Sequence, residues 1–152
     1  MIDTNVAIVA NGNSPQATLD CELACVHLLG NCKSIHICLD ESGLIMDEYE
    51  KHLNYSGTPG VGDAYFKYLY DYQYASGKIE RVKINAIDDE QRSFNELPPN
   101  QLDPSDRKFL ATAVAGEASI VNSTDSDWDE QKALTDGLEV TVNQLCPECC
   151  VR

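Results

Sequence analysis

Three acidic residues lie at the ends of predicted elements, where metal chemistry is common. Asp125 and Asp127 come directly after residues 119–122, a short apolar segment that is predicted to be a buried strand. Asp106 lies in the predicted first turn of the preceding helix, so its carboxylate is expected near the same edge. In an open parallel sheet, ligands and metal ions collect at the carboxyl ends of the strands. The three acids therefore predict a cation site at that edge.

The helix that carries Asp106 has clear start and stop signals. Asp103 and Pro104 are predicted to be its N-cap and its first-turn proline, and Gly116 is predicted to end it. Between these signals, apolar residues recur at helical spacing and form one stripe: Phe109, Leu110, Ala113 and Val114.

The order of these acids resembles that of the PIN-domain nucleases. In that family, a D-x-x-D motif opens a late helix and an (S/T)-x-D-x-D motif follows the next strand. Residues 103–106 and 123–127 are similar to these motifs, with Ser123 in the hydroxyl position. Residues 2–5, IDTN, resemble the family's D-T-N opening, and residues 45–49, IMDEY, resemble its E-Y helix. The resemblance extends from residue 3 to residue 128 of the 152.

This resemblance implies a nuclease that uses Mg²⁺ or Mn²⁺. Phosphodiester cleavage must stabilise extra negative charge on phosphorus, and such ions, which prefer oxygen ligands, meet this need. Four acids match the family's metal ligands and are the expected catalytic residues, with a fifth acid beside them: Asp3, Glu48, Asp106 and Asp125, then Asp127. The expected activity is a metal-dependent endoribonuclease acting on single-stranded RNA, as in the toxins of toxin–antitoxin pairs.

Each acid also has a purely structural alternative. Asp106 could be the partner of Asp103 in a capping box, and Asp125 could cap the following helix. Asp3 could form a local turn, and Glu48 could simply face solvent. Taken singly, these alternatives are favoured, but the joint match to an ordered pattern favours a shared site.

Helical and strand patterns alternate along the chain. Residues 1–10 are predicted to be the first strand and the turn after it. Further strands are predicted over residues 34–40, 78–87, 119–122 and 138–142, and helices over residues 14–30, 44–53, 63–74, 103–116 and 129–136. This order implies an α/β fold with a parallel sheet that helices cover on both faces. The resemblance implies a single PIN-like domain over residues 1–152, a three-layer α/β/α sandwich with a central, mostly parallel sheet.

The charge of the chain does not favour nucleic-acid binding. The chain has 25 acidic and 11 basic residues, a formal net charge of −14, whereas nucleic-acid-binding proteins usually carry a basic surface. The residues expected to contact RNA are Asn5, Arg81, Lys83, Arg92, Arg107, Lys108 and Ser123. The second interpretation is a non-catalytic PIN-like interaction module whose acidic surface binds a basic protein. An antitoxin and a second copy of the chain are further candidate partners.

Seven cysteines, in a chain of this length without a signal peptide, predict reduced and mostly buried thiols in a cytoplasmic protein. Cys21 and Cys25 share a helical face, where thiols behave as small hydrophobes. The tail, residues 146–150 (CPECC), offers a zinc site or a redox pair at Cys146 and Cys149. Zinc is disfavoured because the sequence shows no second ligand pair. No segment is long and apolar enough to be a membrane-spanning helix.

Overall fold

The computed structural model describes residues 1–75 and 77–150 of the chain, as a mixed α/β fold. The helices in these residues are Thr4–Ala10 (α1), Leu19–Gly30 (α2), Leu44–Glu50 (α3), Val61–Tyr72 (α4), Arg107–Gly116 (α5), Asp127–Glu130 (α6) and Lys132–Gly137 (α7). The strands are Ile37–Asp40 (β1), Ile79–Val82 (β2), Ile120–Asn122 (β3) and Val142–Gln144 (β4). Among these helices, none combines the length and the apolar character that crossing a bilayer requires.

The strands form two parallel pairs. β1 pairs with β2, with Ile37 opposite Ile79, and β3 pairs with β4, with Ile120 opposite Val142. Ile2 adds a single parallel bridge to β3 at Val121. The predicted α/β class with parallel pairing is therefore confirmed, in strands of only three or four residues.

The predicted strand over residues 1–10 is wrong beyond Ile2. Asp3 is the N-cap residue of α1, and the chain is helical from residue 4 to residue 10. Val6, Ala7 and Val9 of this helix are buried, and α1 packs against α2 and α4. A continuous apolar run suits a buried helix as well as a buried strand, so periodicity does not separate the two. Asp3 consequently lies between the bridge that Ile2 makes to β3 and the start of α1.

Other predicted elements differ at their ends. α2 begins at Leu19 rather than at residue 14, and β2 ends at residue 82 rather than at residue 87. α5 begins at Arg107 because the Asp103 carboxylate accepts hydrogen bonds from Ser105 N (2.9 Å) and Ser105 Oγ (2.7 Å), which closes a separate turn before the helix. The single helix predicted over residues 129–136 is divided into α6 and α7. The last strand lies at residues 142–144 rather than 138–142.

Helix α5 packs against β1, β2 and β3 and so ties the two strand pairs together. It ends at Gly116, as predicted, where an added Cβ would lie 2.4 Å from Cys38 Sγ on β1. On α3, the Tyr49 ring packs with its centroid 6.2 Å from that of Phe109, and its hydroxyl donates to the Ile2 carbonyl. This packing fixes residues 1–3 relative to the start of α5.

Cys21 on α2 and Cys146 in the tail form a disulfide bond, with Cα atoms 5.3 Å apart. The prediction of reduced thiols is therefore wrong for this pair. The two residues are 125 positions apart, so no local pattern could have indicated their contact. The prediction of buried thiols is confirmed for four of the remaining cysteines: Cys25, Cys32, Cys38 and Cys149.

Candidate functional site

Three carboxylates from distant parts of the sequence meet at one edge of the fold. Asp3, Asp106 and Asp125 each place an oxygen within 4.8 Å of the others. Asp3 precedes α1, Asp106 precedes α5, and Asp125 follows β3. Asp3 is 4% exposed and Asp106 is 9% exposed, so at least two of the three are shielded from water.

A network of buried amides and hydroxyls holds the loop that carries Asp125. Asn5 Oδ1 accepts hydrogen bonds from Ser123 N (2.9 Å) and Ser123 Oγ (2.6 Å). Asn5 Nδ2 donates to Asn122 Oδ1 (2.8 Å), and Asn122 Nδ2 donates to the Asp125 carbonyl (2.8 Å). Asn5 and Ser123, expected to contact RNA, therefore make structural contacts that set the position of Asp125.

Trp128 fixes the carboxylate of Asp3. Its indole Nε1 donates a hydrogen bond of 2.5 Å to Asp3 Oδ2, and the tryptophan is 1% exposed. Trp128 is not among the site residues that the sequence predicts. The signal was available, because a tryptophan directly after the candidate ligand pair Asp125 and Asp127 needs a hydrogen-bond acceptor once it is buried.

The three carboxylates have raised pKa values, chiefly because they are buried. Burial raises the pKa of Asp3 to about 6, opposed by the Trp128 hydrogen bond and increased by the charge of Asp125. Burial, followed by the charges of Asp3 and Asp125, raises the pKa of Asp106 to about 8. Burial also raises the pKa of Asp125. In the described part of the chain, no lysine or arginine forms an ion pair with any of the three.

The structural alternatives for these acids have different outcomes. Asp106 occupies the N-cap position of α5, but its side chain makes no capping hydrogen bond. Asp125 makes a related contact, since its Oδ1 accepts a hydrogen bond from Asp127 N (2.9 Å) at the start of α6, although Ser126 occupies the N-cap position. The second Asp125 oxygen is left for a ligand. This hydrogen bond and ligand binding are therefore compatible at this residue.

Asp127 and Glu48 lie outside the group of three. Burial raises the pKa of Asp127, followed by the charge of Glu130, but its carboxylate is not among the clustered oxygens. Glu48 Oε2 forms ion pairs with Lys51 (3.0 Å) and Lys108 (3.2 Å). Burial opposes ionisation of Glu48, yet the two lysines lower its pKa below the ordinary value. Its charge is thus already compensated.

The basic residues expected to contact RNA are divided between two places. Arg107 and Lys108 directly follow Asp106. Arg107 Nε donates to the Leu102 carbonyl (3.0 Å), and Lys108 Nζ donates to the Ser105 carbonyl (2.8 Å). Arg81 on β2 is engaged differently, with Nη2 donating to the Glu41 carbonyl (2.9 Å). Its guanidinium also lies 4.4 Å from the centroid of the Tyr74 ring. Two remaining residues of this set are exposed: Lys83 and Arg92.

Comparisons of the chain with protein-family models, with curated proteins and with solved structures found no match. The chemistry of the site is therefore inferred from its side chains. Clustered carboxylate oxygens without a cationic partner suit a hard divalent cation such as Mg²⁺ or Mn²⁺. The donor set also fits because three ligands leave coordination positions for water and for a phosphate oxygen.

Proposed function

We propose that the protein is a metal-dependent endoribonuclease that hydrolyses phosphodiester bonds of single-stranded RNA, with Mg²⁺ or Mn²⁺ held by Asp3, Asp106 and Asp125. The observation that carries this proposal is the meeting of three carboxylates, each with a raised pKa, from three separate parts of the sequence. Like charges in a poorly solvated place destabilise a fold unless a cation or protons compensate them.

The protein's own residues would prepare this site in three ways. Trp128 holds the Asp3 carboxylate in one orientation, and the Asn5–Asn122 network holds the loop of Asp125. Such outer contacts orient ligands and typically change metal affinity about 10–100-fold when they are removed. When bound, a divalent ion would stabilise the charge that develops on the phosphate during hydrolysis.

Lys108 and Arg107 would supply positive charge beside this cluster. Glu48 holds the Lys108 ammonium at 3.2 Å, and the lysine side chain is 13% exposed. A cation positioned in this way can contact a phosphate while the carboxylates bind the metal ion. In this proposal, Glu48 positions Lys108 and does not bind metal.

We also propose that the fold is a PIN-like three-layer sandwich in which residues 1–3 lie between β3 and β1. Asp3 N donates to the Val121 carbonyl (3.0 Å), and Val121 N donates to the Met1 carbonyl (2.9 Å), which supports the β3 side. On the β1 side, burial lowers the pKa of the Met1 amino terminus, and the charge of Cys38 opposes this decrease. The effect of Cys38 supports a position of Met1 beside β1. Helices that pack against the strands support the outer layers.

A second candidate function is an interaction module that binds a basic protein. It is favoured by the formal net charge of −14, which opposes the approach of RNA to most of the surface.

A cleavage assay on single-stranded RNA tests the proposed nuclease. We expect cleavage with Mn²⁺, none with EDTA, and none from Asp106→Asn. Asp89→Asn makes the same change in charge at an exposed residue and should cleave as the native chain does. Equal activity of the Asp106 variant and the native chain would contradict the proposal, as would cleavage that persists in EDTA.

A further inference from the structure

Three cysteine sulfur atoms meet where the C-terminal tail packs on α2, and a fourth cysteine lies in the adjacent turn of the tail. Cys21 and Cys25 lie four positions apart on one side of α2. Cys146 precedes the short turn Pro147–Cys149, and Cys149 ends it. The sulfur atoms of Cys21, Cys25 and Cys146 lie within 4.8 Å of one another, and all three residues are buried. The second ligand pair that the tail sequence lacked is therefore supplied by a helix more than 120 positions earlier.

Cys149 lies in the tail turn next to the start of α2. It is 2% exposed, and its Sγ lies 3.8 Å from Oγ1 of Thr18, the residue whose side chain caps the start of α2 by accepting from Cys21 N (3.2 Å). Burial raises the pKa of Cys25 to about 11, and the charge of Cys149 contributes to this increase. Cys25 and Cys149 are thus close enough for their charges to interact.

We propose that the reduced chain binds one structural zinc ion through the thiolates of Cys21, Cys25, Cys146 and Cys149. Structural zinc sites are tetrahedral, with Zn–S distances of about 2.3 Å, which place the sulfur atoms about 3.8 Å apart. Cys21 and Cys146 are bonded to each other in the disulfide, so their sulfur atoms must separate on reduction to reach this spacing, while the Cys25 sulfur already lies within 4.8 Å of both. The pairs C-x-x-x-C and C-x-x-C also have the separations that zinc ligands usually have.

The disulfide between Cys21 and Cys146 and the zinc complex are alternative states of the same sulfur atoms. A dithiol reductant supplies two electrons and two protons, which converts the disulfide into two thiols and leaves the reductant as its own disulfide. Zinc then replaces the thiol protons, which pass to solvent, because coordination to a divalent cation deprotonates a thiol. The cluster therefore holds the tail on α2 in both states, by a covalent bond or by a metal ion.

Cys150 is not a ligand in this proposal, although it is adjacent to Cys149. Its Sγ lies 3.2 Å from the Ser123 carbonyl and 3.7 Å from Gln144 Oε1, beside the loop after β3. It consequently provides a matched control, one position from a proposed ligand. Cys38, which is buried against α5 and lies 3.9 Å from the Thr112 carbonyl, provides a second control in another part of the fold.

The tail also supports the candidate cation site. Gln16 Nε2 donates both to the Thr124 carbonyl (2.9 Å) and to the Cys149 carbonyl (3.1 Å). Thr124 precedes Asp125, so the tail turn and the loop of Asp125 share one hydrogen-bonding side chain. Zinc at the four cysteines would stabilise the loop of Asp125 through the tail turn and Gln16, without contacting the carboxylates.

The test is metal analysis of the full chain, purified with a dithiol reductant and without chelator. We expect about one zinc ion per chain, and a thiolate-to-metal charge-transfer band when Co²⁺ replaces zinc. Cys25→Ser and Cys149→Ser should each weaken zinc binding at least about tenfold. Cys38→Ser and Cys150→Ser should retain it.

Two further measurements test the zinc site even when a cysteine variant does not fold. In the native chain, zinc should protect four thiols from alkylation, and Asp106→Asn should leave the charge-transfer band unchanged. A reduced native chain without zinc and without the Co²⁺ band would overturn the proposal. So would equal loss of zinc in Cys150→Ser and Cys149→Ser, or loss of the bound zinc in Asp106→Asn, which would place the metal ion at the carboxylates.

Discussion

Replacing Asp106 with asparagine should stabilise the metal-free protein at neutral pH. The folded carboxyl has a pKa of about 8, while the ordinary value is 3.8. Between these two values the folded state binds a proton that the unfolded state has released, so stability falls as pH rises through this window. Each pKa unit corresponds to about 1.36 kcal/mol, so the window from 3.8 to pH 7 corresponds to up to about 4 kcal/mol at this residue. Asparagine has nearly the same shape and does not titrate.

Urea unfolding in EDTA, at pH 5 and at pH 7.5, measures this effect. The native chain should be less stable at pH 7.5 than at pH 5, and Asp106→Asn should remove most of that difference. Asp3, with a pKa of about 6, adds a smaller dependence in the lower part of the same window. If Asp106→Asn lowers stability at pH 7.5 in EDTA, the Asp106 carboxylate does not destabilise the fold as its burial implies.

Added cation should make the native chain more stable than Asp106→Asn, which reverses the order of stability expected in EDTA. Mg²⁺ or Mn²⁺ binds the folded state only, so it should raise the melting temperature of the native chain, by an amount that grows with concentration. Asp106→Asn lacks one of the three ligands and should respond much less. An unchanged melting temperature of the native chain in both ions would refute the metal site itself.

Three further predictions concern the residues around the cluster. Trp128→Phe removes the hydrogen bond to Asp3 and should weaken Mn²⁺ binding about 10–100-fold, measured by calorimetry, with the fold retained in circular dichroism. Asn122→Ala leaves buried partners of the fully buried Asn122 unsatisfied and should destabilise the chain by about 2–3 kcal/mol in urea unfolding. Glu48→Gln should leave Mn²⁺ affinity nearly unchanged, because the Glu48 carboxylate is paired with Lys108, while RNA affinity in a binding assay should change.

The sequence predicted those parts of the site that depend on local order along the chain. Residues 119–122 form the expected strand apart from its first residue, and Asp125 follows it as the predicted edge position requires. Asp106 lies at the start of α5, even though the predicted N-cap residue, Asp103, is engaged in a separate turn. These placements come from short-range signals, which apolar spacing and turn residues encode well.

The rest depends on contacts between distant residues, which a single sequence does not reveal. Glu48 matches a motif, yet the structure pairs it with Lys108, 60 positions later. Trp128 reaches Asp3 across 125 positions, and Cys21 reaches Cys146 across the same separation. Residues 4–10 fold as a helix because α2 and α4 surround them, which is tertiary information. Local patterns therefore located the acids, and long-range packing decided which of them meet.

Because Asp106 is shielded and most other acids are exposed, one set of variants can distinguish the two candidate functions. A basic partner would contact the exposed acids that produce the net charge of −14, whereas Asp106 is only 9% exposed. Asp106→Asn should therefore leave the binding of an oligolysine peptide within about twofold, because a shielded carboxylate contributes little to attraction at the surface. The same variant should abolish Mn²⁺-dependent RNA cleavage.

Reversing the charge of three exposed acids, in Asp88→Lys, Asp89→Lys and Glu90→Lys, should weaken peptide binding and leave cleavage intact. A native chain that binds the peptide tightly, cleaves no RNA and gains no stability from Mn²⁺ would favour the interaction module over the nuclease.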